Sequence, residues 1–274
     1  MTVRKTFDTP GSLLLGVRLP AGSIRIETTE TAQTTIVLEA ADEAAGALLE
    51  AIRVEFRDVR DGHELLVTAP ERRGLFGRSP HFELCVRCPD GVRVDVRTRS
   101  ADFEADGRLG SLELRTTSGD VEARAVDGAV NVQSTSGDVE LDQVGGAVEV
   151  KTTSGDVTLG RVLGPLRAWL VSGDLSVTDA AGAVETNSVS GDQRLGQVST
   201  GSVSVQSVSG DVEVAVRRGA GVWMDVRSLS GDTQSELLPS DGPPAEDAPL
   251  VELRLKTVSG DIRIERAGAT AEPV

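Results

Sequence analysis

Hydrophobic residues recur at every second position in short segments along most of the chain, a pattern typical of strands with one buried face. Two consecutive stretches between residues 118 and 153 show it, SGDVEARAVDGAVNVQST and SGDVELDQVGGAVEVKTT. In each stretch, apolar residues stand three and five places after the serine, and a second apolar pair stands twelve and fourteen places after it. A glycine separates the two pairs. Each stretch therefore predicts two short strands joined by turns of Gly, Asp and Ser.

The tripeptide Ser-Gly-Asp sets the length of this repeating unit. It begins at intervals of 18 residues and then returns after 19, 21 and 29 residues, at Ser118, Ser136, Ser154, Ser172, Ser190, Ser209, Ser230 and Ser259. Two short strands do not fold stably alone, so we expect the units to stack, with each strand pairing with its equivalent in the next unit. The sequence thus predicts an all-β fold, a parallel β-solenoid of about 18 residues per coil with a packed aliphatic interior.

The repeat divides the chain into three predicted parts. Residues 1–99 are expected to form a β-rich capping region that is continuous with the solenoid. It carries one short helix over residues 42–52, with Asp42 as the N-cap. Residues 100–266 form the Ser-Gly-Asp solenoid, which a proline-rich loop at residues 236–249 interrupts. Residues 267–274 are expected to be a disordered tail.

Charge and composition exclude several kinds of partner. The formal net charge is −15, and residues 100–274 carry −14 of it. Such an acidic chain is not expected to bind nucleic acid, which needs a positive face. No apolar stretch approaches the roughly 20 residues that span a bilayer, and Leu13–Leu15 is too short for a signal-peptide core. These observations predict a cytoplasmic protein without a direct membrane span.

The repeat region also resembles a known family. The segment CVRCPDGVRVDVRTRSADFEADGRLGSLELRTTSGDVEA, residues 85–123, is followed by further units of the pattern T-x-S-G-D-[VI]-x-[VL] at residues 134–141, where Ser134 stands in the place of the threonine, and at residues 152–159. These features resemble the bacterial candidate-adhesin family of β-strand repeats, also called the toastrack domain, a domain of unknown function. The resemblance covers roughly residues 10–266. It implies a right-handed β-solenoid-like fold and a cell-surface or membrane-stress context. It implies no catalytic residues.

The aspartates of the repeat are the sharpest candidate site. In register, their carboxylates would repel one another unless turn amides or a cation satisfy them. We expect a structural turn ladder, with calcium between coils as the alternative. One Asp per coil does not supply the 6–8 oxygen ligands that calcium takes, so no metal and no cofactor is predicted. The ladder comprises Asp120, Asp138, Asp156, Asp174, Asp192, Asp211, Asp232 and Asp261.

Four apolar residues are candidate partner contacts. Trp169 stands at an outward position of its strand, and Trp223 is the second tryptophan of the repeat region. Each is either an anchor for a partner or part of a locally covered patch. Leu75 and Phe76 lie in the basic and apolar segment at residues 72–78, which is either a plain loop or a contact with a protein or a membrane surface.

The two cysteines form a C-x-x-C pair, a weak metal signal when it stands alone. In the alternation of their strand, Cys85 and Cys88 face opposite sides, so we expect Cys88 to be buried and Cys85 to have no special role.

Together these features predict a non-enzymatic β-solenoid that acts as a protein-interaction or structural module. The alternative is a carbohydrate-binding or carbohydrate-acting β-helix. A cleft lined by clustered carboxylates and aromatic side chains would favour the carbohydrate alternative, and plain polar faces would favour the interaction module.

Overall fold

A computed structural model of the chain describes residues 2–70, 80–237 and 249–268. The chain divides into two compact units, Met1–Asp142 and Gln143–Val274. Most of the described residues lie in β-strands, and long parallel pairings join strands that are one repeat apart. The predicted all-β, parallel β-solenoid with one short helix is therefore confirmed. Most of the predicted loop at 236–249 and of the predicted tail lies outside the described residues.

The first unit is built from long strands. The strands are β1 (Thr2–Asp8), β2 (Leu13–Thr29), β3 (Gln33–Ala40), β4 (Arg53–Val59), β5 (Gly62–Thr68), β6 (His81–Pro89), β7 (Val92–Arg115), β8 (Val121–Val126), β9 (Val130–Ser136) and β10 (Val139–Val144), the last of which crosses the boundary between units. β7 runs without interruption through residue 100, where the sequence predicts that the cap ends.

β2 is the centre of the first unit. One edge of β2 pairs in parallel with β5 and then with β6, and the other edge pairs in parallel with β7. β7 in turn pairs with β8 and β9 in the repeat phase. The remaining strands of the predicted cap, β1, β3 and β4, add antiparallel pairs. The parallel stacking of the solenoid therefore begins at β2, although this part of the sequence contains no Ser-Gly-Asp.

The predicted helix over residues 42–52 is shorter than expected. It consists of the α-helix α1 (Glu43–Gly46) and a separate 3-10 turn (Leu49–Ala51). Gly46 lies in the middle of the predicted segment, and glycine disfavours a continuing helix. The predicted N-cap is present, because the Oδ1 atom of Asp42 accepts a hydrogen bond from the Ala45 amide at 2.6 Å. This bond is the main reason that the pKa of Asp42 is lowered.

The second unit contains two parallel sheets. Its strands are β11 (Val148–Ser154), β12 (Val157–Val162), β13 (Leu166–Ser172), β14 (Leu175–Ala180), β15 (Val184–Ser190), β16 (Gln193–Val198), β17 (Gly201–Ser209), β18 (Val212–Val216), β19 (Gly221–Ser230), β20 (Thr233–Ser235), β21 (Leu250–Ser259) and β22 (Ile262–Arg266). The first sheet has the order β11-β13-β15-β17-β21-β19, and the second has the order β12-β14-β16-β18-β22-β20.

The order of the last two coils differs from the prediction. The sequence predicts that each unit pairs with the next along the chain, and this is wrong after β18. The coil of β21 and β22 lies between the coil of β17 and β18 and the coil of β19 and β20. The inserted coil is the more apolar of the two. Its inward residues, such as Val251 and Ile262, are fully buried, whereas Met224 on β19 is 41% exposed.

Aliphatic side chains fill the interior of the second unit. In the second sheet, one inward file runs through residues 157, 175, 193, 212 and 262, and four of these five residues are Val, Leu or Ile. Burying each such side chain stabilises the fold by about 1.5–3 kcal/mol. Since each coil covers the core residues of its neighbours, the stability of a coil depends on the coils beside it.

A hydrogen-bonded pair of polar side chains lies within this interior. Gln193 occupies the inward file between Leu175 and Val212, and it is 2% exposed. The Thr186 hydroxyl, which is also fully buried, donates a hydrogen bond to the Gln193 Oε1 atom at 2.5 Å. The bond replaces the water that both polar groups lose on folding.

The turn glycines are needed because neighbouring coils lie very close together. Gly191 has a φ angle of +120°, and a Cβ atom on it would lie 2.1 Å from the carbonyl oxygen of Gly173 in the preceding coil. That distance is far inside van der Waals contact. The glycine of Ser-Gly-Asp thus permits both the turn conformation and the coil spacing.

No helix in the described part of the chain is long and apolar enough to cross a membrane.

Candidate interaction surfaces

The turn aspartates form hydrogen bonds from coil to coil. In most of them the Oδ1 atom accepts a hydrogen bond from the backbone amide of the aspartate in an adjacent coil. In the first unit these bonds join Asp120 to Asp102 (3.1 Å) and Asp138 to Asp120 (3.0 Å). In the second unit they join Asp174 to Asp156, Asp192 to Asp174, Asp211 to Asp192, Asp261 to Asp211 and Asp232 to Asp261, at 2.8–2.9 Å. Each bond offsets part of the repulsion between stacked carboxylates.

The described residues offer no ligand set for a metal ion. They contain no group of three or more His, Cys, Asp or Glu side chains in a suitable arrangement. The turn aspartates of these residues therefore do not form such a group.

A shallow groove of about 350 Å³ lies beside the turn aspartates of the second unit. Asp174, Asp192, Asp211 and Asp261 line it. Arg194 also lines the groove, and its guanidinium contacts Glu213 at 2.8 Å. That hydrogen bond raises the pKa of Arg194. Among the described residues, no aromatic side chain lines the groove.

The two tryptophans lie on the outward face of the first sheet of the second unit. Trp169 on β13 is partly buried, and the Lys151 Nζ atom sits 4.7 Å from the centre of its ring. Trp223 on β19 is 50% exposed, and the Arg254 guanidinium lies 5.9 Å from its ring. Trp169 is thus the covered tryptophan and Trp223 the accessible one. The other candidates, Leu75 and Phe76, lie outside the described residues.

Both cysteines are free thiols of β6 in the first unit. Cys88 is fully buried, and burial raises its pKa to about 12. Cys85 faces the opposite side and is only partly buried, and its pKa is raised chiefly by desolvation. The thiols therefore lie on opposite faces of the strand, as the alternation predicts, and they do not form one metal site.

Sequence reasoning missed a line of exposed aliphatic side chains on the second unit. We call it the aliphatic row, and it consists of Val171, Val189, Val208, Val258 and Leu229, which are 48%, 50%, 50%, 47% and 83% exposed. Each member stands directly before the serine of a Ser-Gly-Asp. The residues on either side of each member pair between strands, so the members lie next to one another across β13, β15, β17, β21 and β19.

The signal for this row is present in the sequence. The residue before the serine is Thr at positions 117, 135 and 153, and it changes to Val or Leu from position 171 onward. Neighbouring strands are about 4.8 Å apart, so five coils carry an apolar strip roughly 19 Å long. The turn aspartates run along one side of it. The row is therefore an apolar strip with an acidic border.

Stacked two-strand coils of about 18 residues, with an aliphatic interior and a hydrogen-bonded aspartate in each turn, define a strand-repeat β-solenoid. The model of the family described as Toastrack DUF4097 matches residues 86–164 and 160–272. The matches cover well over half of the chain, and the chain belongs to this family. The resemblance noted in the sequence is thereby confirmed.

Several solved bacterial structures are similar to the chain. A candidate adhesin from Bacteroides fragilis is 13% identical over 96% of this chain and 97% of its own, with a TM-score of 0.44. One from Parabacteroides distasonis is 10% identical over 96% and 97%, with a TM-score of 0.42. One from Parabacteroides merdae is 13% identical over 96% and 95%, with a TM-score of 0.37. At such low identity nothing of their function carries over. No curated protein matches the sequence.

Proposed function

We propose that the chain is a non-enzymatic protein-interaction module and that the aliphatic row is its contact surface. The observation that carries this proposal is five adjacent aliphatic side chains, each about half exposed or more, at one position of consecutive coils. Together they expose on the order of 400 Å² of apolar surface, a size at which patches on monomeric proteins are often functional. An ordinary outward strand position is polar, so this strip is an exception that the repeat does not need for folding.

The border of the row indicates the chemistry of the partner. The turn aspartates run alongside the apolar side chains, and most of the negative charge of the chain lies in residues 100–274. A complementary protein surface would present an apolar ridge next to basic side chains. We propose a protein partner of this kind. The cytoplasmic location and the cell-envelope or membrane-stress context stay predictions.

Site-specific photo-crosslinking tests the proposal. A photoreactive amino acid at position 189 is expected to capture a defined host protein, whereas the same probe at Glu185, which faces outward on the same strand, is not. The substitutions Val171→Thr and Val208→Thr should abolish the adduct, because they give the row the residue that the chain itself has at position 153. Equal capture from both probes, or capture that the threonines leave unchanged, would contradict the proposal.

The carbohydrate alternative has one observation in its favour, the groove lined by turn aspartates. Sugar sites commonly add an aromatic surface on which a ring can stack. Trp169 and Trp223 lie instead on the sheet that carries the aliphatic row. Calorimetric titration with oligosaccharides distinguishes the two functions, since binding that Asp192→Asn weakens would favour the sugar site.

A further inference from the structure

Within the described part of the chain, the strand β19 has one unpaired edge. Its paired edge joins β21 from Gly221 to Ser230, and none of the other described strands pairs with its second edge. The inward residue Met224 lies beside the fully buried Leu253, yet it is itself 41% exposed. An open edge with apolar side chains readily pairs with another strand. The unpaired edge of β19 and its exposed apolar side chains therefore form a surface to which another strand can bind.

The sequence of β19 is complementary to itself about Val226. In an antiparallel pair of two β19 strands centred there, residue 225 stands opposite residue 227 of the other copy, and residue 223 stands opposite residue 229. Asp225 then meets Arg227, twice, and Trp223 meets Leu229, twice. All four side chains lie on the outward face, so each pairing joins side chains on the same side of the sheet.

The inward face of β19 matches as well. Val226 meets its own copy at the centre, and Met224 stands opposite Ser228. The half-exposed apolar side chains of the end coil would then be covered by an equivalent end coil. Such a contact continues the aliphatic interior from one copy into the next.

Neighbouring registers do not offer the same complementarity. Centring the pair one residue earlier places Asp225 opposite Asp225, and centring it one residue later places Arg227 opposite Arg227. Like charges directly opposite each other destabilise a strand pair. The charges of β19 thus select the register about Val226.

We propose that β19 is the interface of a homodimer, in which two copies of the chain pair their β19 strands antiparallel and in register about Val226. A two-fold contact requires a surface that is complementary to itself, and the outward residues of β19 meet this requirement. The proposal goes beyond the interaction function. It concerns a different surface, which shares only Leu229 with the aliphatic row.

Two charge reversals test the proposal by sedimentation velocity on the full chain across a concentration series. The variant Asp225→Arg places positive charges opposite each other in the dimer, and Arg227→Asp places negative charges opposite each other. Each alone is expected to dissociate the dimer, weakening it by about tenfold or more. Mixed in equal amounts, the two variants should form a heterodimer, because every facing pair is then of opposite charge.

The mixture distinguishes a disrupted interface from misfolding of the variants, since two misfolded variants would not restore each other's association. A matched control is Arg167→Asp, which reverses another exposed charge of the same sheet that pairs with Glu185 at 3.3 Å. It should leave the dimer unchanged. A monomeric wild-type chain at all concentrations, whatever else covers β19, would overturn the proposal. So would a mixture that stays monomeric, or dissociation by the control variant.

Discussion

The buried pair of Thr186 and Gln193 offers a sharp test of the solenoid interior. Thr186→Val keeps the branched shape of the side chain and replaces the hydroxyl with a methyl group. The Oε1 atom of Gln193 then loses the 2.5 Å hydrogen bond described above, in a place that water does not reach. The substitution therefore isolates the free energy of one unsatisfied polar atom.

The structure gives the expected magnitude. A buried acceptor left without a donor costs about 1–3 kcal/mol, and Gln193→Leu should cost a similar amount by leaving the Thr186 hydroxyl unpaired. Replacing both partners removes both penalties and places Leu between Leu175 and Val212. The double variant should match or exceed the wild-type stability, since apolar pairs of similar shape can replace a buried hydrogen bond.

Urea unfolding measures these differences. Both tryptophans, Trp169 and Trp223, belong to the second unit, so tryptophan fluorescence reports the unit that contains the pair. Single variants are expected to unfold at lower urea with an unchanged slope, and the double variant is not. A Thr186→Val variant as stable as the wild type would refute the reasoning, as would a double variant whose loss equals the sum of the single losses.

Two further predictions concern the turns and the thiols. Gly191→Ala should destabilise the second unit by about 3 kcal/mol or more, because the new methyl group would clash with the Gly173 carbonyl. The control Gly46→Ala, with no atom within 4 Å of its new methyl group, should be nearly neutral. Equal urea midpoints for the two variants would contradict this prediction. In native protein at pH 8, maleimide should modify Cys85 before Cys88, because burial raises the Cys88 pKa to about 12. Since the unfolded thiol ionises near its ordinary value of 9.0, the free energy of unfolding should fall as the pH rises from there toward 12. Mass spectrometry that finds Cys88 labelled first, or urea midpoints unchanged over this pH range, would show that Cys88 is accessible.

Much of the fold could be predicted from the spacing of a single tripeptide. The 18-residue interval determines which residues stack, and the period-two alternation determines which of them face inward, so Val121 and Val157 are correctly placed in the interior. The coil at β2 was not predicted because it has no Ser-Gly-Asp. The length of β2 depends on its pairing with β5, β6 and β7, which are distant from it in the sequence.

Other features depend on information that repeat spacing does not contain. The 29-residue interval before Ser259 indicates an insertion. It does not indicate whether the coil of β19 and β20 or the coil of β21 and β22 stacks directly on β17 and β18, because that depends on the relative burial of these two similar coils. Gln193 was not predicted to face the core. A polar side chain at that inward position is stable only with a hydrogen-bond partner, and here the partner is Thr186, seven residues earlier on another strand. The aliphatic row could have been predicted, because Thr153 and Val171 occupy the same position of the repeat.

The exchanged order of the last coils has a consequence for biosynthesis. On the ribosome, the strands β19 and β20 emerge before β21 and β22, which separate them from β17 and β18 in the finished molecule. Residues 221–235 must therefore stay unpaired until β21 and β22 have been synthesised, or else pair with β17 first and later be displaced by β21. Native structure at this end of the chain cannot be completed in the order of translation.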